Sequence, residues 1–142
     1  MRAGERIEAY FVSCGHGSAE DIGAHFTPDA VIWDTNVRPL RGRADIGASW
    51  VAVRDRWGGA EWFVDSLVEG PHGDTAAIEW SMTGIEPVDQ RPFVFRGSEH
   101  YRLVNGLIDE IRQYWTFDAE RLDTGLRGFD YGIDDGQEAA DR

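Results

Sequence analysis

The chain has 142 residues, a formal net charge of −12 and a hydrophobic share of 42%, with six tryptophans and one cysteine. That acidity sets it against phosphate backbones and anionic bilayers, so no nucleic-acid or membrane partner is expected. The lone Cys14 excludes an internal disulfide, and the absence of a signal-peptide pattern or a long apolar run points to a cytoplasmic protein. The aromatic content predicts one folded domain over residues 1–133, followed by an acidic tail at 134–142 expected to be disordered.

In chain order, Ile7, Tyr10, Phe11 and Cys14 have the i, i+3, i+4, i+7 spacing of a helix over residues 4–14, which Gly15-His16-Gly17 ends. Ser18, with Asp21 three residues on, reads as the capping box of a short second helix that Pro28 stops. Residues 30–34 are a short apolar strand ending in Asp34. A third helix is predicted over 43–57, with Ile46, Trp50, Val53 and Trp57 as its buried stripe and Gly58-Gly59 as its stop. The period then becomes two, giving strands at 60–69 and 75–85 around a turn at 71–74. Residues 122–131 keep apolar side chains and are expected to pack on the body or on a partner subunit.

Residues 93–117 read as a hairpin around Asn105-Gly106, because both central residues of a type I′ turn need positive φ. Strict alternation from that turn sets Tyr101 opposite Glu110 and Glu99 opposite Arg112. One face then carries Phe93, Phe95, Glu99, Tyr101, Leu103, Ile108, Glu110, Arg112 and Tyr114, so charges sit among aromatics, as in a cavity wall. The other face carries Val94, Arg96, His100, Arg102, Asp109, Ile111, Gln113, Trp115 and Phe117. His100 thus reads as a surface or interface residue, and the apolar members need a cover. His16, His25 and His72 are scattered, Cys14 falls on a core stripe, and neither metal-ligand spacing nor a nucleotide motif appears, so no metal or cofactor is expected.

Two N-terminal helices, the run Asp29-Ala-Val-Ile-Trp-Asp34, then Arg41-Gly-Arg-Ala-Asp-Ile46, and a closing Asn105-Gly-Leu-Ile-Asp-Glu-Ile-Arg112 together resemble the SnoaL-like branch of the NTF2-like superfamily, over about residues 5–117. The resemblance implies an α+β fold: an NTF2-like cone of three N-terminal helices packed in a strongly curved mixed or antiparallel sheet enclosing a pocket. Members include polyketide cyclases, ketosteroid isomerases, dehydratases, limonene-type epoxide hydrolases and binding modules, so fold alone leaves the reaction open. On the isomerase pattern, Tyr10 takes the place of the oxyanion-hole tyrosine and Asp34 that of the base. Glu99 takes the place of the late-strand acid, as a glutamate where that family has an aspartate. Arg112 opposite Glu99 would favour its charged form, against the neutral acid of the isomerase. On the epoxide hydrolase pattern, Arg112 would bridge Glu99 and Glu110.

The expected function is therefore a cofactor-independent acid/base pocket enzyme acting on a small apolar oxygenated metabolite such as a polyketide or terpenoid. Asp34, Tyr10, Glu99 and Arg112 would be catalytic, and Trp50, Phe95, Tyr101, Glu110 and Tyr114 would line the substrate. Epoxide hydrolysis and a non-catalytic binding or assembly module are the alternatives. A homodimer through the outer sheet face is expected, as in similar proteins.

Overall fold

A computed structural model describes residues 1–118 and 120–132, so the tail expected at 134–142 lies outside the described residues. The elements run α1 (Ala3–His16), α2 (Ala19–Gly23), β1 (Phe26–Asp34), β2 (Leu40–Arg41), α3 (Arg43–Arg56), β3 (Glu61–Glu69), β4 (Thr75–Ile85), β5 (Pro92–Val104) and β6 (Leu107–Trp115). The six strands form one mixed sheet in the order β2-β1-β6-β5-β4-β3, and only the β1–β6 pair is parallel. The sheet stays open, with β2 and β3 as its edges. Helix α1 lays its apolar stripe, Ala3, Ile7, Tyr10, Phe11 and Cys14, across β3 to β6, while α3 packs on α2, β1 and β2.

The second helix is shorter than its pattern predicts. Its capping box forms, with Asp21 N donating to Ser18 Oγ at 3.0 Å and Ser18 N to Asp21 Oδ2 at 2.9 Å. The helix nevertheless ends at Gly23, and Phe26 already belongs to β1. Pro28 falls inside β1, where the pairing with β6 is irregular between Phe26 and Val31 and a missing N–H costs no ladder bond.

The hairpin turn forms as expected, with Asn105 at φ 51° and Gly106 at φ 78°. Its register does not continue in strict alternation. Leu103 pairs with Ile108, but Tyr101 pairs with Ile111, so β6 spends three residues where β5 spends two. This bulge puts Asp109 and Glu110 together against Arg102, and Asp109 accepts from Arg102 (2.7 Å) and Thr27 (2.8 Å). Every later residue of β6 is thereby turned over. Glu99 stands opposite Gln113, and Arg112 stands opposite His100.

The outer face changes accordingly. It carries the ion pairs Arg102–Asp109 and Arg112–Glu110, at 2.7 and 2.8 Å, and the edge-on ring pair His100–Tyr114. Ile111 and Trp115, assigned to that face by alternation, turn inward. Val94 is covered by the chain's own C-terminal segment. Its N–H donates to Leu122 O (2.7 Å), its carbonyl accepts from Thr124 N (3.2 Å), and Tyr131 lays its ring 3.8 Å from the buried Arg96 guanidinium. Residues 122–131 therefore pack on the body, and the apolar outer patch on which a dimer was expected is largely used within the subunit.

Candidate active site

Every element except α2 contributes to a cavity of about 500 Å³ on the inner side of the sheet, a volume suited to a small metabolite. Its wall takes Tyr10, Phe11 and Cys14 from α1, and Ile32 and Asp34 from β1. Val37 and Arg38 come from the following loop, and Leu40 from β2. Ser49, Trp50, Val53 and Trp57 come from α3, while β3 to β6 supply Trp62, Trp80, Met82, Phe95, Glu99, Gln113 and Trp115. Five of the six tryptophans are thus cavity residues, which explains why the α3 stripe is only half-buried: its far side is the cavity. Trp80 can lie across β5 only because residue 97 is glycine, since a Cβ there would come within 2.7 Å of its ring. The indole N–H groups of Trp50 and Trp80 have no acceptor among the described residues.

Two carboxyls share this cavity in opposite settings. Asp34 ends β1 and collects four N–H donors. Asn36 N (2.6 Å) and Val37 N (3.3 Å) donate to Oδ1, and Gln113 Nε2 (2.7 Å) and Trp115 Nε1 (3.0 Å) donate to Oδ2. That donor set suits an anion. Glu99, only 4% exposed, has a single partner, the Tyr101 hydroxyl, which donates to Oε2 at 3.1 Å. Burial pushes its carboxyl up to about 8; the Tyr101 hydrogen bond pulls the other way, and the Asp34 charge adds to the rise. At neutral pH Glu99 therefore holds its proton. Its Oε1 has no protein partner among the described residues and so is free to donate into the cavity.

Tyr10 stands beside Glu99 on the same wall, with its ring edge-on to Phe26 (5.0 Å) and Phe11 (5.6 Å). Burial pushes its hydroxyl well above the ordinary value. Burial also pushes the Cys14 thiol up, which disarms it as a nucleophile.

Of the residues singled out from the sequence, Tyr10, Asp34, Glu99, Trp50 and Phe95 line the cavity. Tyr101 stands behind Glu99 as its hydrogen-bond donor. Arg112, Glu110 and Tyr114 do not reach the cavity, because the bulge at Asp109 turns them to the outer face. The arrangement expected for epoxide opening, Arg112 between Glu99 and Glu110, is therefore not assembled in the cavity, and among the described residues no arginine stands beside Glu99 to keep it charged. Trp33 also points outward, with the Arg41 guanidinium 5.1 Å from its ring, so it does not help to enclose Asp34. Gln113 and Trp115 were missed as site residues. Their signal was present in Ile108 and Ile111, two apolar residues three apart that a regular strand cannot put on one face.

Among the described residues, no group of three or more His, Cys, Asp or Glu side chains could hold a metal ion, and no helix is long and apolar enough to cross a membrane. A family model described as a SnoaL-like domain matches residues 7–111. No curated protein matches the chain. Among solved structures, a protein of unknown function with a cystatin-like fold from Methylobium petroleophilum is 28% identical, with a TM-score of 0.69 over 91% of this chain and 86% of that one. SalBIII, an epoxide hydrolase/cyclase-like enzyme of pyran ring formation in salinomycin, is 19% identical, with a TM-score of 0.70 over 80% and 90%. A Mycobacterium tuberculosis protein in complex with estradiol-17β-hemisuccinate is 17% identical, with a TM-score of 0.68 over 80% and 93%. At these last two identities the likeness is one of fold.

Proposed function

This chain belongs to the SnoaL-like domain family of the NTF2-like superfamily, and on that footing we propose that it is a cofactor-independent acid/base enzyme. Its substrate would be a small, largely apolar carbonyl compound of the polyketide or terpenoid kind. Asp34 takes a proton from the carbon next to the carbonyl, and the C–H electron pair moves onto the carbonyl oxygen. Tyr10 and neutral Glu99 donate hydrogen bonds to that oxyanion. The enolate then takes the proton back from Asp34 at another carbon, or attacks a second carbonyl to close a ring and the new alkoxide takes that proton, or expels a β-hydroxyl that takes it and leaves as water. The observation that carries this reading is Glu99: a buried carboxyl with no cation beside it, held neutral on the wall that also holds Asp34 with its four N–H donors. The chain contains no lysine, so imine formation by a side-chain amine is not available as a rival way to activate a ketone.

The test needs no knowledge of the natural substrate. Deuterium exchange at the activated carbon of 2-tetralone in D2O, followed by NMR, reads proton abstraction directly. The wild-type protein should accelerate it, and Asp34→Asn should slow it by on the order of 100-fold or more. The rate should fall as pH rises through about 8, when Glu99 ionises, and Glu99→Gln should lose that fall because an amide donates at every pH. Exchange at the wild-type rate in Asp34→Asn would remove Asp34 as the base. A catalytically silent wild-type protein whose melting temperature still rises with 2-tetralone would favour a binding module.

A further inference from the structure

The polar groups of the cavity wall divide into those engaged within the protein and those left over. Gln113 and Trp115 both donate to Asp34, and Glu99 is held by Tyr101. Arg38 is the one cation on the wall, and it forms no hydrogen bond or ion pair among the described residues. Most other arginines have one: Arg2 pairs with Glu69, Arg102 with Asp109, and Arg54 donates to Cys14 O and Gly17 O.

Arg38 is exposed, yet the loop that presents it is tied down. Thr35 Oγ1 and Asn36 Nδ2 both donate to Trp115 O, at 2.6 and 3.0 Å, and the N–H groups of Asn36 and Val37 converge on Asp34. Pro39 restricts the Arg38 backbone to extended conformations, and Leu40 is already paired with Ile32 in the sheet. The guanidinium therefore projects from a fixed point at the end of the cavity wall, next to the loop's anchor on Asp34. The protein as a whole, at −12, repels anions. An unpaired cation on the wall of an apolar, tryptophan-lined cavity offsets that locally.

We propose that Arg38 receives a carboxylate on the substrate while the substrate's carbonyl lies against Tyr10 and Glu99. The ligand class is then an apolar ketone that carries a carboxylate at a distance from the reacting carbonyl. The carbonyl end of this assignment rests on the proposed acid/base reading; the carboxylate end does not.

Calorimetric titration with phenols as enolate mimics tests it. The probes are 6-hydroxy-2-naphthoate and 3-(6-hydroxy-2-naphthyl)propanoate, each beside its methyl ester, which has the same shape without the charge. At least one acid should bind about tenfold or more tighter than its ester. The gap should shrink in 0.5 M salt and close in Arg38→Gln. Acids and esters that bind alike to the wild-type protein, or a gap that survives Arg38→Gln, would overturn the assignment. The two readings fail separately. Equal binding with intact tetralone exchange removes only the carboxylate site, whereas an Arg38-dependent gap without exchange leaves the site and removes the turnover.

Discussion

The two faces of the β5–β6 ladder hold the same residue types and do opposite things with them. Outside, Arg112 meets Glu110 and Arg102 meets Asp109 in pairs exposed to water. Such pairs are screened and entropically costly to hold, and each contributes under about 1 kcal/mol. Inside, Glu99 has no cation, and its neutrality follows from desolvation. The difference is made by position alone: a single extra residue, Asp109, decides which side each charge of β6 falls on. Charge on a sheet is cheap where water solvates it; where water is excluded, it must find donors, as Asp34 does, or keep its proton, as Glu99 does.

The comparison breaks most completely if β6 beyond the bulge is shifted by one residue. Inserting one alanine between Glu110 and Ile111 would shift the rest of β6 by one position, driving Arg112 and Tyr114 inward and Ile111, Gln113 and Trp115 outward. No cooperative thermal transition is expected by circular dichroism; a melt within a few degrees of the parent protein would show that the register can slip without cost. The next effect belongs to Glu99. In the unfolded chain its carboxyl ionises near 4.5, in the fold near 8. Below the first value both states are protonated and no stability is lost. Between the two the unfolded state alone gives up its proton, so stability drains as pH rises and levels off above about 8. Glu99→Gln removes that loss. Urea unfolding should find the variant more stable at pH 9 by up to on the order of 5 kcal/mol relative to its offset at pH 4; an offset independent of pH would mean that Glu99 is charged in the fold. The smallest effect is outside. Arg112→Gln should change stability by about 0.5 kcal/mol or less and leave tetralone exchange intact; a large loss of exchange would return Arg112 to the chemistry.

Much of this architecture can be read from residue patterns. The α1 stripe, the Asn105-Gly106 turn and the acid at the end of the first strand all obey local rules, and Tyr10, Asp34 and Glu99 reach the cavity because those rules hold where they sit. The errors have one cause. Alternation propagates a register indefinitely, and a bulge resets it, so every β6 assignment beyond Asp109 is inverted. Pro28 inside β1 is a second case, where a residue read as a helix stop sits in an irregular stretch of strand. The state of Glu99 depends on which neighbour faces it, and that neighbour is Gln113 only because of the bulge.

The segment that crosses the outside of β5 has a further consequence. Residues 122–131 lie beyond the stretch that matches the family model, yet they bury Arg96 and cover Val94 on the strand whose other side carries Phe95 and Glu99. They also present Leu126 and Phe129, 62% and 53% exposed, to the surroundings. Any second copy approaching this part of the sheet would meet that added strap before it met β5. An assembly through this face would be built around it, so the segment beyond the family match would set the terms on which two such sheets could meet.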